Sequence, residues 1–432
     1  MKRKYYLVLI FVIALTASIG IKNKNPNRSR ETYIKILSKD KFFSKLQNAP
    51  LWMTEQIDED LEYPRLNKVS LNALTKTYWN MKKRFHETKQ DFIRYRIVDN
   101  TLYQYFPEDE KFTKKEEAFE KALKTVLKLK KLPVIDFVFS NIDGLPSNKD
   151  QKDKSFYYEN KKGFYLVDDN KYQAPIFTRA KGSDVKVGIL IPDYYVLSEL
   201  WPKMQKEVLK LNTEIDWDKK INCFHWRGAS SKLFRFKLCE LSLNHSDIVD
   251  AGFVEKMDDR KIRELKFWNK YDVYQKLKKN YASLEEQIHN KYLPVLDGVM
   301  CTYPGFHWRL LSNSVVLKQE SIEKQWFYRA LKPYEHYVPI KYDMSDLFHQ
   351  ITWAMQNDDK CKKIAKNASD FVMQNLMIED VYVYLYKVLT EYSKYQAFDK
   401  KDLIKDLKQD KNWIAISNRR KANEILKKRK LL

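Results

Sequence analysis

The spacing of apolar positions changes near residue 132. Before that point the chain is rich in charge and reads as helical. "TKKEEAFEKALKTVLKLKK" (113–131) sets Phe119, Leu123, Val126 and Leu127 on one helix face. Beyond it, "LPVIDFVFSNIDGLP" (132–146) is an unbroken β-branched and aromatic run closed by Asp-Gly and Pro. That pattern predicts a buried strand and a tight turn. "GFYLV", "APIFT" and "VKVGILIPD" are further strands, followed by the helical "YYVLSELWPKMQKEVLKL". "INCFHWRGASSKLFRFKLCELS" (221–242) reads as strand, small-residue turn and helix, and "DIVDAGFVEK" as strand and loop. "SLEEQIHNKYLPVLDG" (283–298) reads as a helix running into a turn. "SVVLK" and "HYVPI" are strands, and two helices follow, with Ser345 and Asp358 as N-caps.

Strands alternating with helices from Leu132 onward argue for an α/β protein with parallel sheets, and the number of units for two lobes. The expected division is a membrane segment (1–21), a tether and helical region (22–131), a first lobe (132–215), a second lobe (216–395) and a basic tail (396–432).

Composition narrows the partners. The 432 residues carry a net charge of +23, which suits an anion: a nucleotide, a phosphorylated glycan, a membrane surface or nucleic acid. Basic residues are scattered and form no recognisable nucleic-acid-binding module, so no nucleic-acid partner is expected; a basic nucleic-acid or anionic-membrane binder is the alternative to an enzyme. With only 9 Gly, each glycine should mark a forced turn. The four cysteines form no CxxC pair and no metal spacing. At the start, "MKRKYYLVLIFVIALTASIGIKNKN" has an uncharged run from Tyr5 to Ile21, near the length that crosses a bilayer. It is read as a single-pass anchor, with a cleaved signal peptide as the alternative. Basic residues flank it on both sides and leave its orientation unset.

The chemistry centres on "HWRGASSKLFR". If the strand ends near Trp226 and the helix starts near Ser231, the N–H groups of Gly228 to Ser231 face the space beyond the strand. A helix start attracts anions. Arg227 at the strand end and Arg235 inside the helix would converge there, and paired guanidinium forks suit a diphosphate. The competing expectation is that an arginine pairs with a nearby acid such as Glu240.

This motif resembles the arginine-bearing block of the capsule-associated (CAP-type) glycosyltransferases, which include Rumi-type protein O-glucosyltransferases and lipopolysaccharide-modifying enzymes. "NKYLPVLDG", "LLSNSVVLKQES", "WFYRALKPYEHYVPIKYDMSDL" and "ITWAMQNDDKCKKIAKNASDFV" are similar to later blocks in the same order, over about 132–395. The resemblance implies a GT-B-like fold of two Rossmann-like lobes around a cleft. It implies a UDP-sugar donor, with glucose or xylose transferred to a hydroxyl of a glycan, lipopolysaccharide or protein acceptor. UDP-sugar is then a substrate, and neither a cofactor nor an obligatory metal is expected. Arg235 falls where the family binds diphosphate, with Arg227, Gly228 and Ser230 in the accompanying loop. The family's base is an Asp ahead of a Pro; Asp143 in "NIDGLP" is nearest, one position out of register, and Asp136 is the fallback. Arg309 stands displaced from the family's second arginine. Lys318 and His336 are further candidate substrate contacts. Trp326, Phe327 and Tyr328 are read as core rather than as a sugar platform.

Overall fold

The computed structural model describes residues 37–84, 92–107, 117–147, 174–416, 424–425 and 427–428. The expected anchor (1–21), the strand "GFYLV" and the end of the basic tail (417–423, 426 and 429–432) lie outside them. No helix among the described residues is long and apolar enough to cross a membrane.

In chain order, α1 (Lys39–Gln47), α2 (Leu51–Asp60), α3 (Glu62–Asn67) and α4 (Leu71–Arg84) precede a hairpin of β1 (Phe92–Val98) and β2 (Thr101–Tyr105). Then come α5 (Glu117–Leu129), β3 (Ile135–Ser140), β4 (Ile176–Thr178), β5 (Lys181–Gly182), β6 (Gly188–Leu190) and α6 (Leu200–Glu214). The first sheet runs β13-β2-β1-β3-β4-β6, where β13 (Trp413–Ala415) arrives from near the chain end. Only β3, β4 and β6 are parallel; β13, β2, β1 and β3 pair antiparallel. The first lobe is thus a mixed sheet rather than a pure Rossmann unit, and its strands begin at Phe92, not at Leu132. The hairpin turn at Asp99-Asn100 has φ of 49° and 60°. Two such residues give the turn that matches strand twist, and Asp and Asn tolerate it.

The second sheet is built from β7 (Ile221–Gly228), β8 (Val249–Phe253), β9 (Asn290–Val295), β10 (Val315–Gln319) and β12 (Val338–Ile340). Its order is β12-β10-β9-β7-β8, and every pair is parallel. The helices are α7 (Phe234–Asn244), α8 (Asp259–Phe267), α9 (Tyr271–Leu277), α10 (Leu284–Ile288), α11 (Gly305–Leu311), α12 (Leu347–Gln356) and α13 (Asp358–Asn375). "NKYLPV" is therefore a central strand, not the end of a helix. A two-stranded sheet of β5 and β11 (Glu323–Lys324) joins the lobes.

The chain then returns. Helix α14 (Ile378–Ser393) packs on α1, α2 and α5, and α15 (Lys400–Gln409) lies against β1. Residues 378–416 thus complete the first lobe. Two apolar clusters form the core: one holds Phe137, Phe177, Trp201 and Tyr392 and extends to Leu293, Val295 and Val316 of the second sheet, and the other holds Phe224, Trp226, Phe253 and Tyr292.

Candidate active site

From β7 the chain passes to β8 on one side, then returns across β7 to β9 on the other. Crossovers diverge between β7 and β9, and open α/β sheets bind ligands at the carboxyl ends of strands at such a point. Gly228 closes β7; a Cβ there would stand 2.4 Å from the Trp226 ring. The turn is longer than the sequence implied, since α7 starts at Phe234 rather than near Ser231.

Arg235, in the first turn of α7, reaches across the switch point. Its Nε donates to the Asp297 carbonyl at 2.8 Å, Nη1 to Ala229 O at 2.8 Å and Nη2 to Leu296 O at 2.9 Å. It is buried, and no carboxylate pairs with it among the described residues. Burial lowers its pKa to about 10, opposed by the charges of Asp297 and Glu255. A guanidinium has five N–H donors, so two remain for a ligand. Ser231 beside it has a buried hydroxyl without a partner. The missing side chain at Gly298 leaves room: a Cβ would lie 3.4 Å from Arg235 Nη2 and 3.9 Å from Ser231 Oγ.

Arg309 on α11 is another buried cation with no carboxylate pair among the described residues. Nη1 donates to Gly305 O at 3.1 Å and Nη2 to Gln287 Oε1 at 3.0 Å, while Nε is buried and unpartnered. Its pKa falls to about 9, first through burial and then through the charge of Arg235. The loop from β9 to α11 thus carries one arginine contact at each end.

Arg227 is placed differently. Its Nη2 pairs with Asp250 Oδ2 at 2.6 Å, and Nε and Nη1 donate to Asn280 O and Asp250 O. It is tied to the neighbouring strand; the acid is Asp250, not Glu240. Ser230 is also engaged, with its N–H donating to Glu255 at 2.6 Å and its hydroxyl bonded to the same carboxylate.

Across the cleft, Asp143 is exposed at the carboxyl end of β3. Its backbone carbonyl accepts from Tyr303 Oη at 3.1 Å, which ties it to the β9–α11 loop. The next residue, Gly144, packs closely on its neighbours: a Cβ would stand 2.8 Å from both Ala180 O and Met300 Cε. Asp136 lies within β3 with no exposure. Its carboxylate accepts from Arg94 at 2.8 and 2.9 Å and from Arg96 at 2.9 and 2.6 Å. Four charge-assisted hydrogen bonds and full burial keep it from a substrate.

A cleft of about 520 Å³ is lined in part by Glu59, Lys318, Glu320, Tyr328 and Tyr337. Lys318, one of its lining residues, donates to Gln319 O at 3.0 Å with its ammonium 4.7 Å from the Tyr328 ring centre. Burial lowers its pKa, opposed by Asp297. His336 sits elsewhere: its Nδ1 accepts from Lys332 N at 3.1 Å and its ring packs on Phe371. Trp326 and Phe327 are buried core, as expected, while Tyr328 lines the cleft. Asp297 and Tyr303 were missed; the Asp297-Gly298 turn closing the apolar run "YLPVL" was the available signal for the first.

Residues 53–427 match the model of Glycosyl transferase family 90. The chain belongs to this family. The match begins well ahead of Leu132, in keeping with a first lobe that includes the N-terminal helices. The family-90 chain is 30% identical over 231 residues to Protein O-glucosyltransferase 2 of Danio rerio, covering 52% of this chain and 44% of the relative. It is 28% identical over 332 residues to Protein O-glucosyltransferase 3 of Mus musculus, covering 75% and 59%. The chain spans about half the length of the curated relatives it matches. Among solved structures, Anabaena Alr3699/HepE in complex with UDP aligns with a TM-score of 0.35 and 10% identity over 51% of this chain and 65% of that one.

Proposed function

We propose that this chain transfers a sugar from a UDP-sugar to an acceptor hydroxyl. The observation that carries this is a buried arginine without a carboxylate partner, Arg235, at the switch point of a parallel sheet, bonded to the β9–α11 loop whose Tyr303 holds the backbone of the exposed Asp143. A buried cation with no directly paired carboxylate is costly, and the charges of Asp297 and Glu255 do not outweigh its burial. An anionic ligand would compensate it.

In this mechanism the diphosphate lies against Arg235, Ser231 and the open backbone at Gly298. Arg309 adds a second positive charge to the field, and Lys318 guides the donor toward the cleft. Asp143 takes the proton of the acceptor hydroxyl as that oxygen attacks the anomeric carbon. The bond to the β-phosphate oxygen breaks and UDP leaves. Negative charge grows on that oxygen, where fixed cations act most strongly. With arginines in that role, transfer needs no metal ion. Arg227 and Ser230 then serve by shaping the β7 turn through Asp250 and Glu255.

Glucose is the first donor to test, because the relatives are named as O-glucosyltransferases. The acceptor is proposed as a protein or glycan hydroxyl, lipopolysaccharide included, and attachment to a membrane through residues 1–21 rests on sequence alone. The test is UDP release from a panel of UDP-sugars with and without EDTA, with products weighed by mass spectrometry. Transfer that survives EDTA supports the proposal; no turnover of any UDP-sugar, or transfer only with added metal, contradicts it.

A further inference from the structure

We infer that Arg179 is a positioning residue that fixes the loop carrying Asp143. The inference rests on the reading of Asp143 as the base. Arg179 follows β4, and Asp143 lies three residues beyond β3, so both stand at the carboxyl edge of adjacent parallel strands. Arg179 is 3% exposed. Its Nη1 donates to Asn141 O at 3.1 Å and Ile142 O at 3.4 Å, and its Nη2 to Asn141 Oδ1 at 2.7 Å. These are the two residues just ahead of Asp143. The guanidinium lies over the rings of Tyr194, at 4.7 Å, and Phe139, at 5.5 Å, which hold its plane.

The far side of the loop is already pinned. Leu145 N donates to Ala180 O at 2.9 Å, and Gly182 N to Leu145 O at 2.8 Å. Tyr303 holds the carbonyl of Asp143 itself. Arg179 supplies the near side, and with it only the carboxylate of Asp143 projects from a loop anchored at both ends. Among the described residues, no hydrogen bond or ion pair of Arg179 reaches the second lobe, where the donor is proposed to bind. Its loss should therefore act on the proton-transfer geometry and not on donor affinity. Misplacing a reacting group by about 1 Å costs on the order of 10²-fold in rate.

The test compares Arg179→Met, Asn141→Ala and Asp143→Asn for UDP release from UDP-glucose and for UDP binding by calorimetry. Arg179→Met should lower kcat by about 10- to 100-fold with UDP affinity and KM for UDP-glucose unchanged, and Asn141→Ala should lower it less. Added guanidinium should restore part of the rate to Arg179→Ala, a rescue that a general packing defect would not give. If Arg179→Met does not fold, Asn141→Ala carries the same kcat comparison. Wild-type kcat in a folded Arg179→Met, or in Asn141→Ala when the former does not fold, overturns the inference. So does weakened UDP binding with unchanged kcat. An active Asp143→Asn removes the base reading instead, so the two failures are told apart.

Discussion

Replacing Asp136 by Asn should damage the fold rather than the chemistry. The carboxylate sits between two buried guanidinium groups. Arg94 donates to both of its oxygens and has no other ion pair among the described residues, while Arg96 also pairs with Asp406 at 2.7 Å. Arg94 is 4% exposed and Arg96 is not exposed at all. The amide keeps one acceptor oxygen but turns N–H donors against guanidinium N–H groups. Removing one partner of a buried pair costs about 3–5 kcal/mol. Asp406 stays to compensate Arg96, so the loss should fall in that range and not double. For a unit of 150–250 residues this lowers the melting temperature by about 6–20 °C. The assay is calorimetric melting of the full chain beside UDP release per folded molecule well below the transition. Asp136→Asn should melt early yet turn over near the wild-type rate while folded. Wild-type melting with turnover abolished would refute the reasoning and move the base to Asp136.

The other substitutions separate the roles further. Asp143→Asn, at an exposed side chain, should leave melting unchanged and cut turnover by about 10²–10⁴-fold, with UDP binding retained; full activity would remove the base. Arg235→Met should weaken UDP binding by about 10- to 100-fold, since hydrogen bonds to a charged group contribute about 1.5–3 kcal/mol. It should also lower the melting temperature, because the carbonyls of Ala229, Leu296 and Asp297 lose their donors; unchanged UDP affinity in calorimetry contradicts this. Asp193 should mark itself in stability against pH. Burial raises its carboxyl pKa from 3.8 to about 6, against backbone donors at Tyr195 and Val196. Between those values the folded state binds more protons than the unfolded state, so the stability this group contributes is lost as pH rises from about 4 to 6. Asp193→Asn should flatten that stretch of the profile, and parallel curves for the two proteins would exclude the effect.

The second lobe was largely legible, because a parallel sheet covered on both faces needs long apolar strands. "INCFHWRG", "DAGF" and "SVVL" announce themselves in that way. β9 escaped because Pro294 lies inside it: proline argues against a central strand, yet here it pairs opposite Leu317. The first lobe was legible only from Leu132. Its hairpin hides Arg94 and Arg96 on buried positions, so alternating charge masked a strand that ion pairs make possible. The "DN" turn was the missed signal.

The arginine site was half legible. Gly228 and Arg235 follow from local pattern, but the partner of Arg227 depends on strand register. Asp250 lies opposite His225, beside Arg227, only once β8 is laid against β7. Arg309, another buried arginine without a carboxylate pair among the described residues, is 74 residues beyond Arg235 and comes within its field through the β9–α11 loop. No local spacing encodes that approach.

A structure of the full chain with UDP bound would probe the account at its centre. The expected density puts the diphosphate within hydrogen-bond reach of the two spare N–H groups of Arg235, between Ser231 and Gly298, with no metal bridging it. UDP seated against Arg227 and Asp250, or away from the gap between β7 and β9, would contradict it.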